Sequence, residues 1–157
     1  MVEEGKPAPD FELESADGER VRLSSLRGQP VVLYFYPRSD TPGCTRQACG
    51  IRDSWKAFED RGAVVLGVSS DSRERQAKFT EKYDLPFTIL ADPDQEAGTA
   101  YGVTKPDSSA FERSTFVIDA DGRIVRVMRR VNPDEHTAQV LAALPEPQPR
   151  SGDGRGG

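Results

Sequence analysis

The chain has few of the side chains that bind soft metals or build disulfide scaffolds. It contains two cysteines and one histidine among 157 residues. A Cys₄ or Cys₂His₂ zinc site needs four such ligands, and a disulfide scaffold needs several cysteine pairs. Counting therefore excludes both, and we expect no metal and no other cofactor. Any thiol chemistry has to be carried by Cys44 and Cys49.

The chain also lacks a surplus of positive charge and any long apolar run. Its 21 basic and 26 acidic side chains give a net charge of −5, whereas a general nucleic-acid binder needs a basic surplus. The strongly apolar runs reach about six residues, and a membrane-spanning helix needs about 20. The first residues, MVEEGKPAPDF, have neither the basic region nor the apolar core of a signal peptide. We expect a cytoplasmic protein that binds neither nucleic acid nor membrane.

What is present suits one folded domain. A chain of about 150 residues buries roughly 70% of its unfolded surface, so it needs no covalent cross-links. The last thirteen residues, PEPQPRSGDGRGG, carry no large apolar side chain and are typical of a disordered tail. The sequence therefore predicts one domain over residues 1–144 and a disordered tail over 145–157.

Several apolar stretches predict strands. Runs without polar alternation are typical of strands buried on both faces, and three are present: Val31–Tyr36, Ala63–Val68 and Thr115–Ile118. Two short stretches flank an Asp-Gly turn and predict an N-terminal hairpin: Phe11–Leu13 and Val21–Leu23. A short strand is also predicted over Phe87–Leu90, and a hairpin turn over Asp119–Gly122.

Helical patterns alternate with these strands. Between Gly43 and Asp60, apolar residues recur at three- and four-residue steps and predict one amphipathic helix. Further helices are predicted over residues 72–83, 93–101 and 133–144, the first of them capped by Asp71 or Ser72. Alternating strands and helices indicate an α/β fold with a central, mostly parallel sheet that is flanked by helices.

The loop after the first central strand is the strongest candidate for chemistry. It reads YPRSDTPGCTRQAC and places Cys44 in the first turn of a helix, where free N–H groups and the helix dipole stabilise a thiolate. At 100° per residue, Cys44 lies within about 40° of the apolar stripe, and Cys49 about 140° away on the polar side. The residues alone leave open whether both cysteines are merely small buried side chains.

Other candidates have simpler interpretations. Asp119–Gly122 resembles part of a calcium loop, but Arg130 occupies the position where a bidentate glutamate is required. His136 belongs to the last predicted helix, where a histidine is more often solvent-facing or capping than catalytic. Ser69-Ser70-Asp71 is explained by capping of the next helix.

The motifs YFYPRSDTPGCTRQAC, GVSSDS and ERSTFVID resemble those of a peroxiredoxin, specifically of the bacterioferritin comigratory protein (PrxQ-like) group. The resemblance runs from about Lys6 to Leu144. It implies a thioredoxin-like fold, with the N-terminal hairpin as an extension, and a thiol-dependent peroxidase that reduces hydrogen peroxide and organic hydroperoxides. The implied reductant is thioredoxin or a similar thiol protein, and the group is often monomeric.

The resemblance also implies roles for individual residues. Cys44 matches the peroxidatic cysteine and Cys49 the resolving cysteine, which pair in an intramolecular disulfide. Thr41 matches the hydroxyl that binds thiolate and peroxide, Pro37 the proline that shields the thiolate, and Arg113 the arginine that completes the pocket.

One position departs from the family pattern. Gln47 stands where the family usually has a glutamate that helps to orient the arginine. Its amide oxygen can still accept a hydrogen bond, but it brings no charge.

Two other functions remain open at the level of sequence. One is a thioredoxin-type thiol–disulfide oxidoreductase, which normally uses Cys-x-x-Cys, a narrower spacing than the C-x₄-C present here. The other is a non-enzymatic module with incidental thiols.

The spacing of the two cysteines predicts a conformational change. Residues five apart in a regular helix have Cα atoms roughly 8.7 Å apart, and a disulfide tolerates at most about 7 Å. Either this helix is irregular in the reduced protein, or oxidation unwinds it around residues 43–52.

Overall fold

The computed structural model describes residues 2–144. The predicted tail over 145–157 lies outside the described residues. Residues 2–144 form thirteen elements, of which one is a short 3₁₀ helix, Leu23–Leu26. The strands are β1 Glu12–Ser15, β2 Arg20–Arg22, β3 Val31–Phe35, β4 Val64–Ser69, β5 Thr88–Ala91, β6 Ser114–Ile118 and β7 Ile124–Arg129. The helices are α1 Pro42–Asp53, α2 Trp55–Asp60, α3 Arg73–Lys82, α4 Glu96–Ala100 and α5 His136–Ala143.

All seven strands form one sheet in the order β2-β1-β5-β4-β3-β6-β7. The three central strands, β5, β4 and β3, are parallel to one another as predicted. The N-terminal hairpin pairs antiparallel with β5, and β6 pairs antiparallel with β3. Parallel pairing is thus confined to the centre, and the sheet as a whole is mixed because an antiparallel hairpin flanks each side, β1–β2 next to β5 and β6–β7 next to β3.

The two faces of the sheet carry separate cores. Alternate residues of β3 point to opposite faces, so Leu33 and Phe35 belong to one core and Val32 and Tyr34 to the other. The first core contains α4 and a group of aromatic rings, and the second contains Cys44 together with residues of α1, α2, α3 and α5. Burial on both faces explains why the central strands have no polar alternation.

The single helix predicted between Gly43 and Asp60 is wrong: the structure has two helices that meet at Ser54. Ser54 adopts φ −109° and ψ 20°, outside the helical region, and its N–H is shared between the carbonyls of Gly50 and Ile51. The bend turns Trp55 so that its ring lies 6.0 Å from that of Phe87. Packing against the sheet overrides the helical periodicity here.

Two other helices are shorter than predicted. The helix predicted over 93–101 begins at Glu96, because Gln95 takes a left-handed conformation with φ 57°. The helix predicted over 133–144 begins at His136. Within residues 2–144, none of the helices has the length and apolar character that crossing a membrane requires.

Candidate active site

Residues 36–41, here called the cysteine loop, leave the sheet at the carboxyl end of β3 and lead directly into α1. Cys44 is the third residue of α1, and its side chain is buried, with 2% of its surface exposed. Thr41 occupies the N-cap position with Pro42 behind it, and Thr41 makes no side-chain cap hydrogen bond. The amides of Gly43 and Cys44 at the helix start are therefore not capped by Thr41, and they can donate to a bound oxygen.

The hydroxyl of Thr41 is oriented by the loop itself. Its Oγ1 donates a hydrogen bond of 2.8 Å to the carbonyl oxygen of Arg38. With its proton used in this way, Oγ1 presents lone pairs that can accept a hydrogen bond from a peroxide O–H. Pro37 lies two residues after the end of β3 and is half-buried.

Sheet register brings Arg113 to the same place. Phe35, the last residue of β3, pairs with Ser114, the first of β6, so Arg113 lies at the carboxyl end of β3. A Cβ atom on Gly43 would lie 3.1 Å from Nη2 of Arg113. The absence of a side chain at Gly43 therefore allows the guanidinium to rest against the residue that precedes Cys44.

Gln47 orients Arg113 without a charge. Its Oε1 accepts a hydrogen bond of 2.6 Å from Nη1 of Arg113. Gln47 is 1% exposed, and its Nε2 has no hydrogen-bond partner within residues 2–144. The glutamine thus supplies the acceptor that the resemblance assigns to a glutamate, and it does so without adding a negative charge beside Arg113.

The prediction that His136 faces solvent or caps a helix is wrong. His136 opens α5 with no exposed surface, its Nε2 lies 2.7 Å from Oγ1 of Thr115, and its ring centre is 5.4 Å from that of Tyr34. Burial, and to a lesser degree the positive charge of Arg113, lower the pKa of His136 to about 3. Burial also raises the pKa of Tyr34 well above 10. Both rings are therefore neutral around pH 7.

Cys49 lies on the other side of α1 and is half-buried. Both thiols are free, and α1 runs without interruption from Pro42 through Cys49 to Asp53. Of the two alternatives derived from the spacing, the reduced protein therefore has the regular helix. The two Cα atoms of a regular helix at this spacing are roughly 8.7 Å apart, so a bond between the cysteines requires α1 to unwind.

Sequence reasoning missed the contact between Asp71 and Ser39, which holds the loop before Cys44. Of the two predicted caps of α3, Asp71 and Ser72, the structure confirms Ser72, whose Oγ accepts from the N–H of Arg75. Asp71 instead accepts a hydrogen bond of 2.8 Å from the N–H of Ser39. The sequence did contain a signal for this contact. Ser39-Asp40 follow β3 and Ser70-Asp71 follow β4, and the carboxyl ends of these parallel strands meet at one edge of the sheet.

Comparisons with known proteins find one family model and several curated relatives that match most of the chain. The family model described as the AhpC/TSA family matches residues 4–127. The chain is similar to peroxiredoxin Bcp of Bacillus subtilis, with 44% identity over 149 residues that cover 91% of this chain and 95% of the relative. It is also similar to peroxiredoxin Bcp of Escherichia coli, with 41% identity over 148 residues that cover 90% and 95%.

Solved structures agree. The structure of peroxidoxin BcpB from Mycobacterium tuberculosis has a TM-score of 0.85 and 36% identity, and the match covers 91% of this chain and 96% of that one. The bacterioferritin comigratory protein of Xanthomonas campestris, studied for its alkyl peroxide reduction, has a TM-score of 0.81 and 32% identity, with 85% and 88% covered.

Proposed function

Because the chain belongs to the AhpC/TSA family and is a peroxiredoxin, a thiol-dependent peroxidase, we propose that Cys44 is its peroxidatic cysteine and Cys49 its resolving cysteine. The thioredoxin-like fold that the resemblance implies is confirmed by the same relatives. The observation that carries the assignment is the position of Cys44 at the uncapped start of α1, with the guanidinium of Arg113 against Gly43.

In the first step the thiolate of Cys44 attacks one oxygen of the peroxide. A sulfur–oxygen bond forms, the oxygen–oxygen bond breaks, and the other oxygen leaves as hydroxide or alkoxide, which takes up a proton. The sulfur is oxidised to a sulfenic acid and the peroxide is reduced. Arg113 and the amides at the start of α1 donate to the negative charge as it moves from sulfur to the leaving oxygen. Thr41 accepts from the peroxide hydroxyl and orients it.

In the second step the thiol of Cys49 condenses with the sulfenic acid. A disulfide forms and one water molecule leaves. The regular α1 keeps the two residues too far apart, so this step follows local unwinding of the helix. Gly50, directly after Cys49, lowers the helical stability of the segment that has to open.

The proposed substrates, reductant, oligomeric state and location are carried over from the relatives. We propose that hydrogen peroxide and organic hydroperoxides are the substrates, in line with the alkyl peroxide reduction studied in the Xanthomonas campestris protein. A thioredoxin-like dithiol protein is the proposed reductant, and it returns the disulfide to two thiols by exchange. A monomer in the cytoplasm is the proposed state.

The assignment is tested by single-turnover reaction with hydrogen peroxide, followed by mass spectrometry. We expect Cys44→Ser to remove the reaction and Cys49→Ser to keep it, with the second variant stopping at a sulfenic acid that oxidises further. The matched pair separates the two roles, since each variant retains one thiol on the same helix. Consumption of peroxide by Cys44→Ser at the wild-type rate would contradict the assignment.

A further inference from the structure

A buried polar network lies beneath the cysteine loop, at the carboxyl ends of β3 and β4. Its five side chains are each 4% exposed or less. They are Tyr36, Ser39, Ser69, Asp71 and Gln76. Buried polar groups are retained at a cost unless they are paired, and a fully paired network specifies one arrangement of the segments it joins.

Asp71 is the centre of this network. Its Oδ2 accepts hydrogen bonds from the N–H of Ser39 at 2.8 Å and from Oγ of Ser69 at 2.6 Å. Its Oδ1 accepts from Nε of Arg75 at 2.9 Å, so the carboxylate charge is balanced on its solvent side. The bond to Ser39 joins the cysteine loop to the segment between β4 and α3, 32 residues away along the chain.

Gln76 holds the loop from the other side. Its Oε1 accepts from the hydroxyls of Ser39 and Tyr36, and its Nε2 donates to Oγ of Ser69 and to the carbonyl oxygen of Leu90, both at 2.8 Å. The side chain of Gln76 therefore connects the cysteine loop to β4 and β5. Ser39 is fixed through both its backbone and its side chain.

The next residue of the loop is held as well. Asp40 has φ 62°, which lies in the left-handed backbone region that residues other than glycine seldom adopt. Its carboxylate accepts from Nζ of Lys82 and from the hydroxyl of Tyr83, at 3.0 and 2.8 Å. Two successive loop residues are thus bound to the segment from β4 through α3 and its C-cap, and none of these contacts involves α1.

We propose that Asp71, acting through Ser39, is a positioning residue for the peroxide step: it fixes the loop that presents Thr41 and Cys44, and it keeps that loop in place when α1 unwinds. This inference rests on the proposed role of Cys44. The helix that carries both cysteines has to open in each cycle, whereas Thr41 and Pro37 have to return to the same positions for the next peroxide. An anchor on the N-terminal side of Cys44 meets both requirements.

The test compares two buried aspartates, Asp71 and Asp92, which both accept hydrogen bonds from backbone N–H groups. Asp92 is 1% exposed and accepts from the N–H groups of Glu96 and Gly98, which fixes the start of α4 instead of the cysteine loop. In a Cys49→Ser background, three variants are compared: Asp71→Ala, Asp71→Asn and Asp92→Ala. The rate of reaction with hydrogen peroxide is measured beside the rate of alkylation by iodoacetamide, which needs the thiolate but not the alignment of Thr41.

We expect Asp71→Ala and Asp92→Ala to destabilise the protein alike, but only Asp71→Ala to lower the ratio of peroxide rate to alkylation rate. The loss should be on the order of tenfold or more, since a displacement of 1 Å costs about a hundredfold. Asp71→Asn retains an oxygen that can accept from the N–H of Ser39 and should restore most of the ratio. An unchanged ratio in Asp71→Ala, or an equal fall in Asp92→Ala, would overturn the proposal. Failure of the Cys49→Ser parent to react with peroxide would instead contradict the role of Cys44.

Should Asp71→Ala fail to fold, the wild-type protein decides the question by amide hydrogen exchange. The Ser39 amide donates to buried Asp71, so it should stay protected in the oxidised protein while residues 43–52 lose protection. Equal loss of protection at Ser39 would overturn the proposal.

Discussion

The two faces of the sheet share strands but differ in how their polar groups are treated. On the face covered by α4, the hydroxyl of Tyr101 donates to the carbonyl oxygen of Pro9 at 2.6 Å, and its ring packs against Phe11, Phe35 and Phe116. On the face covered by α1 and α5, the described residues offer no partner to the hydroxyl of Tyr34 or to Nδ1 of His136. The first face thus pairs its buried tyrosine hydroxyl, whereas the second leaves buried polar atoms unpaired within residues 2–144 on the side that holds the proposed peroxidatic cysteine.

The largest effect is expected on the face of Tyr101. Tyr101→Ala removes a fully buried ring, and such a truncation costs about 3–5 kcal/mol of unfolding free energy. Because no part of the proposed site lies on this face, the peroxide rate of the folded fraction should stay unchanged. Chemical denaturation and single-turnover kinetics measure the two quantities. A matching loss of rate in folded Tyr101→Ala would show that the faces are not independent.

The next effect concerns Arg113 on the opposite face. Arg113→Ala removes a donor near the developing charge, which is worth on the order of 3 kcal/mol, or about a hundredfold in the peroxide step. The guanidinium is half-buried, and its removal leaves the buried Oε1 of Gln47 without a donor, so the unfolding free energy should fall by about 1–3 kcal/mol. Arg46→Ala is the control, since Arg46 pairs with exposed Asp134 on the surface. Equal rates in both variants would leave Arg113 without a catalytic role.

A smaller effect should appear in how the unfolding free energy depends on pH. The pKa of His136 is lowered from 6.5 to about 3 in the folded protein, so unfolding takes up a proton below pH 6.5. Stability contributed by the neutral histidine is therefore complete above pH 6.5 and declines as the pH falls, by about 1.4 kcal/mol per pH unit.

His136 is the only histidine in the chain, which makes the interval from pH 6.5 to 5 diagnostic. Unfolding free energies measured there should fall in the wild type and stay nearly level in His136→Gln. Parallel curves for the two proteins would place the proton uptake elsewhere.

The smallest effect distinguishes the two tyrosines directly. Tyr101→Phe breaks a buried hydrogen bond and leaves the Pro9 carbonyl without it, at a cost of about 1 kcal/mol. Tyr34→Phe removes a hydroxyl that has no partner among residues 2–144, so the change in unfolding free energy should be near zero or stabilising. Thermal unfolding of both variants measures the difference, and an equal loss would remove the contrast between the faces.

Local patterns predicted the parts of the molecule that depend on local chemistry. The uninterrupted apolar run of β3 and the placement of Cys44 in the first turn of α1 are both confirmed. The missing side chain of Gly43 is likewise a local feature, and Arg113 lies against it. In each case the residue itself carries the physical reason.

Contacts between distant segments could not be predicted in the same way. The burial of His136 depends on how α5 packs on the sheet, and the bond from Ser39 to Asp71 depends on the parallel register of β3 and β4. The break at Ser54 goes with the packing of Trp55 against Phe87, which is distant in sequence. Periodicity within one segment contains no information about these neighbours.

The two glycines of α1 have a mechanical consequence. Gly43 and Gly50 are seven positions apart, close to two helical turns, so they share one side of the helix. A Cβ on Gly43 would lie 3.6 Å from Pro133, and one on Gly50 would lie 2.8 Å from Oγ1 of Thr137. At the first point the segment before α5, and at the second point the first turn of α5 itself, meets the backbone of α1 without an intervening α1 side chain. At these two points no α1 side chain stands between the helix and its neighbour, so the proposed unwinding meets little steric resistance there. The buried side chains of Cys44 and Ile51, by contrast, have to leave the core when residues 43–52 open.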